Sequence, residues 1–182
     1  VYTDDNGDWT MRGLPTGDDY TVRFIDGNDT YLSEFYEDSP RRSGATPVAL
    51  QQGSTTANID AALTAAASIA GRVVDEQGNG IADVQVYVAF NGLLDDRVTE
   101  YFFTDSNGEF SADRLRPGDY RVLVSDIYNA QTVYRSEWFE NQYDPLTSDV
   151  VTLAAGENLT GFDVELIAID DPEYALAPSI EV

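Results

Sequence analysis

Thr104-Asp105-Ser106-Asn107-Gly108-Glu109-Phe110, followed by Leu115-Arg116-Pro117-Gly118-Asp119-Tyr120-Arg121-Val122, decides how this chain is read, because both stretches occur twice. Thr3-Asp4-Asp5-Asn6-Gly7-Asp8-Trp9 matches the first, and Leu14-Pro15-Thr16-Gly17-Asp18-Asp19-Tyr20-Thr21-Val22 matches the second with one extra residue. Farther along, Tyr31-Leu32-Ser33-Glu34-Phe35-Tyr36-Glu37 corresponds to Tyr134-Arg135-Ser136-Glu137-Trp138-Phe139-Glu140. Residues 48–53 and 59–63 correspond to 151–156 and 162–166. Four ordered blocks at an offset that drifts only from 101 to 100 to 103 residues mark an internal repeat.

Within each copy the apolar residues alternate. Val84, Val86, Val88 and Phe90 are interleaved with Gln85, Tyr87 and Ala89; Tyr120, Val122 and Val124 with Arg121, Leu123 and Ser125; Phe162, Val164 and Leu166 with Asp163 and Glu165; and Tyr20, Val22 and Phe24 follow suit. Period-two runs of this length between turn residues predict antiparallel strands around a shared core. Asn-Gly at residues 6, 79, 91 and 107 supplies hairpin turns, since both residues tolerate positive φ. The fold class expected is all-β: tandem antiparallel sandwiches of about seven strands per hundred residues.

The two copies are unequal. Residues 68–101 open the second copy with Ser68-Ile69-Ala70-Gly71-Arg72-Val73-Val74-Asp75 and the strands after it, and the first copy has no counterpart. The expected domains are therefore 1–63, a partial sandwich lacking its N-terminal strands; 64–167, a complete one; and 168–182, a tail serving as a donor strand or as the start of a further repeat. A join of a few residues between Leu63 and Ile69 makes the two stiffly connected.

The run from Ile69 through Val86, with Gly71, Gly78, Gly80 and Asp83 in place, resembles the opening of carboxypeptidase-regulatory-like domains. Thr104 to Phe110 with Leu115 to Tyr120 resembles their middle signature. The resemblance implies a transthyretin-like, prealbumin-type sandwich related to collagen-adhesin B-type domains. It also implies a non-enzymatic role as stalk, spacer or binding accessory in secreted or cell-surface proteins. Many adhesin B-type domains carry a Lys–Asn crosslink; all ten basic residues here are Arg, so this chain has no Lys to form one.

Composition narrows the partners. A formal net charge of -23, from 33 acidic against 10 basic residues, opposes nucleic acid and anionic membranes, which gain affinity from positive charge. No stretch approaches the ~20 apolar residues of a membrane helix. A dense carboxylate surface without Lys suits a saline medium, where screening removes its self-repulsion. The absence of Cys and His removes disulfides and thiolate or imidazole metal sites.

The candidate chemistry is sparse. Asp4, Asp5 and Asp8 present oxygen ligands at the close spacing calcium favours, although the twelve-residue loop with its terminal Glu is missing. Carboxylate pairs are unavoidable in so acidic a chain, and no Ser or Thr has a His partner, so no catalytic residues and no cofactor are expected. Tyr134, Trp138 and Phe139 offer rings for stacking on a surface glycan, or cover a sandwich edge, since the same aromatic block recurs in both copies.

The tail carries Tyr174, Leu176, Ile180 and Val182, an apolar pattern suited to head-to-tail self-association by strand donation into the open first sandwich of another copy. Leu176-Ala177-Pro178-Ser179-Ile180 also resembles Ala65-Ala66-Ala67-Ser68-Ile69, so the tail reads equally as the beginning of a third repeat in a longer array. The expected function is a non-enzymatic extracellular structural module, a filament subunit or an adhesin stalk with glycan or host-protein ligands. The alternative is a carbohydrate-binding accessory domain of a secreted polysaccharide-degrading enzyme.

Overall fold

The computed structural model describes residues 1–90, 99–126, 134–144 and 146–169. The chain divides into two units, Val1–Leu63 and Thr64–Val182. In the first unit the strands are short: β1 (Gly17–Tyr20), β2 (Arg23–Phe24), β3 (Glu34–Phe35) and β4 (Val48–Leu50). β1 pairs antiparallel with β4, and β2 with β3. The alanine-rich run at residues 61–66 forms no helix.

The second unit holds β5 (Ala67–Asp75), β6 (Gln85–Phe90), β7 (Thr99–Phe103), β8 (Glu109–Leu115), β9 (Gly118–Ser125), β10 (Glu137–Trp138), β11 (Val151–Leu153), β12 (Asn158–Leu159) and β13 (Val164–Leu166). One sheet runs β7-β6-β9, with β10 and β11 sharing the far edge of β9. The other is built on β5, with β8 along one edge and β12 then β13 along the other. Both β12 and β13 run parallel to β5, which corrects the expectation of purely antiparallel pairing. The last strands return beside the first in the same direction because the whole second unit is their crossover.

The alternation seen in the sequence becomes the core. Val86 and Val88 of β6 stand opposite Val124 and Val122 of β9. They meet Ile69 and Val73 of β5 and Val164 and Leu166 of β13, all buried. Burying side chains of this kind stabilises by roughly 1.5–3 kcal/mol each. Phe162 anchors one end, stacked on Phe139 with centroids 4.0 Å apart and edge-on to Phe110 at 6.4 Å.

Two glycines of the opening motif are fixed by close approach. A Cβ on Gly71 would lie 1.8 Å from the Phe162 carbonyl oxygen, where the edge strand breaks between β12 and β13. One on Gly80 would lie 1.8 Å from the Asn107 carbonyl oxygen, where the two Asn-Gly turns touch. Only a residue without a side chain fits either place.

The repeat extends to hydrogen bonds. Asp4 Oδ1 accepts the N–H groups of Asn6 and Asp8, and Asp105 Oδ1 those of Asn107 and Glu109. The hydroxyl of Tyr20 donates to Pro15 O and that of Tyr120 to Arg116 O. Tyr36 N donates to Val22 O and Phe139 N to Val122 O. Glu37 and Asp38 take the same positive φ values, 62° and 57°, as Glu140 and Asn141.

Burial, by contrast, differs sharply. Phe110, Leu115, Val122 and Val124 are buried, whereas their counterparts Trp9, Val22 and Phe24 are half-buried and Leu14 is 43% exposed. The sequence placed Trp9 beside Phe110 as a core residue; Trp9 falls short because Val1–Leu63 contains nothing equivalent to β5 and β6 to cover it.

Candidate functional site

The Asp4 hairpin is an Asx turn. Asp4 Oδ1 is occupied by two backbone N–H groups, and the turn closes through Gly7 N to Asp4 O at 3.0 Å and Asp4 N to Asp8 O at 2.9 Å. Among the described residues no group of three or more carboxylates is placed to hold a metal, so Asp4, Asp5 and Asp8 are not gathered into a calcium site. Asp105 repeats the same turn in the second unit.

The aromatic block does not face solvent. Trp138 is 5% exposed, Phe139 is stacked on Phe162, and Tyr134 is half-buried against the core. Their placement corrects the glycan-stacking assignment: β10 docks on β9 so that the rings close the side of the sandwich. Tyr134 forms a bridge to Ala168 and sits where the two sheets meet. Tyr174, Leu176, Ile180 and Val182 lie outside the described residues.

Beside these rings are two buried carboxyls that the sequence did not single out. Glu137 is 1% exposed and faces inward from β10, and its Oε2 has no hydrogen-bond partner. Burial pushes its carboxyl up to about 7, with Arg135 opposing and Glu165 reinforcing the shift. Asp126 is also buried, and its Oδ2 accepts the Tyr134 N–H at 3.2 Å. Burial, together with Asp75, Asp126 and Glu76, raises the Tyr134 hydroxyl. Both carboxyls have repeat counterparts: Glu34 is buried, and Asp26 Oδ2 accepts the Tyr31 N–H at 2.9 Å. Recurrence of an acid in phase with the aromatic block was the available signal. Its duplication marks a scaffold position, and His and Cys are absent from the chain to act beside it.

The exposed aromatic surface lies elsewhere, on the outer face of β6 and β7. Tyr101 is 61% and Phe103 47% exposed. Tyr87 stands directly across from Tyr101, with centroids 6.4 Å apart, and its hydroxyl donates to Gln85 Oε1 at 2.6 Å. Tyr101 meets Phe103 edge-on at 6.1 Å. Phe103 also borders a shallow groove of about 590 Å³ shared with Arg72, Asp105, Glu109, Phe110 and Asp163. The run Thr99-Glu100-Tyr101-Phe102-Phe103 is apolar on both faces, so its pattern does not tell which ring points outward.

No curated protein matches the sequence. Among solved structures, catechol 1,2-dioxygenase from Pseudomonas arvilla C-1 aligns at 13% identity over 72% of this chain and 59% of its own, with a TM-score of 0.43. The Bacillus anthracis TIE protein aligns at 12% identity over 57% of this chain and 17% of its own, with a TM-score of 0.41. A DUF3823 family protein from Parabacteroides merdae aligns at 23% identity over 57% and 45%, with a TM-score of 0.35. The chain thus spans less than two thirds of the length of these proteins. No helix among the described residues is long and apolar enough to cross a membrane. Residues 68–167 match the carboxypeptidase regulatory-like domain, the same stretch that folds into the β5–β13 sandwich. The chain belongs to the carboxypeptidase regulatory-like domain family.

Proposed function

We propose that this chain is a non-enzymatic structural module of an extracellular assembly, serving in series as a stalk or, by head-to-tail strand sharing between copies, as a filament subunit. The observation that carries this reading is the duplicated scaffold. Asp4 and Asp105, Tyr20 and Tyr120, and Asp26 and Asp126 spend their polar groups on equivalent turns and corners in both units. Repetition of load-carrying architecture, rather than of an exposed reactive cluster, suits a spacer. The acidic surface disfavours nucleic acid and anionic lipid as partners and suits a saline exterior. Light scattering and negative-stain microscopy of the full chain, with and without residues 170–182, test it at low and high salt. Regular linear assemblies that vanish on truncation support the filament form; assemblies that persist exclude tail donation.

The exposed rings of Tyr101 and Phe103 favour a second reading, carbohydrate binding by the outer face of the β6–β7 hairpin. A glycan array decides it: specific binding abolished by Tyr101→Ala and Phe103→Ala, with the circular dichroism spectrum unchanged, supports this reading.

A further inference from the structure

The second unit shows what the first one is built to hold. In it, β5 lies between two edges: Gly71 opposite Phe110 and Ile69 opposite Ala112 on β8, and Ile69 beside Leu159 and Val73 beside Val164 on β12 and β13. The corresponding segments of the first unit, residues 8–14 and 54–63, belong to no strand. Their backbone nevertheless keeps the path of its counterpart. Gly7 and Gly108 have φ of 85° and 79°, Gly13 and Arg114 78° and 62°, and Asn58 and Gly161 63° and 74°. Two edges are thus shaped for a strand that Val1–Leu63 does not contain.

The contacts at the gap specify the occupant. In the second unit the backbone of β5 passes the Phe162 carbonyl so closely that only Gly71 fits. Ile59 is the counterpart of Phe162, and its carbonyl accepts the Trp9 Nε1–H at 3.2 Å. Asp60 is the counterpart of Asp163, whose Oδ1 accepts the Arg72 N–H at 3.1 Å. Trp9 rests edge-on against Phe24 at 6.1 Å with the rest of its ring half-open, and Leu14 beside it is exposed.

We infer that Val1–Leu63 is an acceptor for one polypeptide strand, which enters between residues 8–14 and 54–63 with a glycine opposite Trp9 and aliphatic residues two positions to either side, the pattern Ile69-Ala70-Gly71-Arg72-Val73 of β5. Occupancy extends the ladder to both edges, covers Trp9 and Leu14, and brings an Arg into a unit with excess acid. It rests on the structural-module reading only for its biological use, since binding is measured on unassembled chain.

The test adds a synthetic peptide of residues 66–76 to the full chain and follows hydrogen exchange together with tryptophan emission. The expected result is slowing of exchange by at least roughly tenfold in residues 8–14 and 54–63, with a blue shift from Trp9, because Trp138 is already buried. A peptide carrying Gly71→Val has no such effect. Unchanged exchange with the native peptide, or equal protection by the Gly71→Val peptide, overturns the inference. So does protection that rises with protein concentration and resists displacement by the peptide, since a second copy would then cover the face by other means. Loss of linear assemblies in the light-scattering experiment leaves these readouts intact, so failure of either is separately visible.

Discussion

Glu137 stands directly opposite Val124 in the β9–β10 ladder, and since Val124 points into the core, the Glu137 carboxyl does too. Paired residues on adjacent strands share a face. The chain therefore places an acid where its sequence neighbours place rings.

Stability should follow the protonation of this acid. Its folded-state pKa is raised to about 7 by burial, above the ordinary carboxylate range. Between the two values the folded state holds a proton that the unfolded state has released, so stability falls as pH rises and levels off above about 7. Glu137→Gln should flatten this slope and stabilise the second unit at pH 8 by on the order of 1–3 kcal/mol. Urea unfolding of both forms from pH 4.5 to 8.5 measures it; an unchanged slope in the variant places the carboxyl in water.

Gly71→Ala and Gly80→Ala should each cost about 3 kcal/mol or more, because each new methyl meets a backbone carbonyl that has little room to move. Gly27→Ala, with open space around it, should be within about 0.5 kcal/mol of the parent. Thermal unfolding separates the three.

The two tyrosine corners should differ in strength. Tyr120 is buried, its hydroxyl is held by Arg116 O at 2.8 Å, and burial pushes its pKa to about 12. Tyr120→Phe should cost about 1–2 kcal/mol, whereas Tyr20→Phe, at an exposed bond, should cost about 0.5 kcal/mol or less. Equal costs would mean that the Tyr20 corner is shielded in solution.

Salt should stabilise the chain. With a net charge of -23, self-repulsion among exposed carboxylates weakens as ionic strength rises. A rise in Tm of roughly 5 °C between 0.05 and 1 M sodium chloride is expected, measured by calorimetry at pH 7.5.

The repeat, the Asn-Gly turns and the buried faces of β6, β9 and β13 were legible in the sequence because each is set by residues close together along the chain. Parallel pairing of Val73 with Val164 was not, since nothing local to either strand encodes its partner. Trp138 was ambiguous for a different reason: a ring that seals a sandwich edge and a ring that binds a sugar look alike until the neighbouring strand is placed. Tyr101 and Phe103 were overlooked because β7 is apolar on both faces and so carries no alternation. Glu34 and Glu137 could have been found, since an acid conserved in phase between the two copies stands out against a surface where acids otherwise vary.

The adjacency of β5 and β13 governs how the second unit meets a mechanical pull. β5 opens that unit and β13 closes it, and the two run parallel with Val73 beside Val164 and Asp75 beside Leu166. Tension applied through the chain on either side draws them in opposite directions along their own axes. The hydrogen bonds between them are then loaded in shear, all together, and must yield as a group instead of parting one at a time like a zipper.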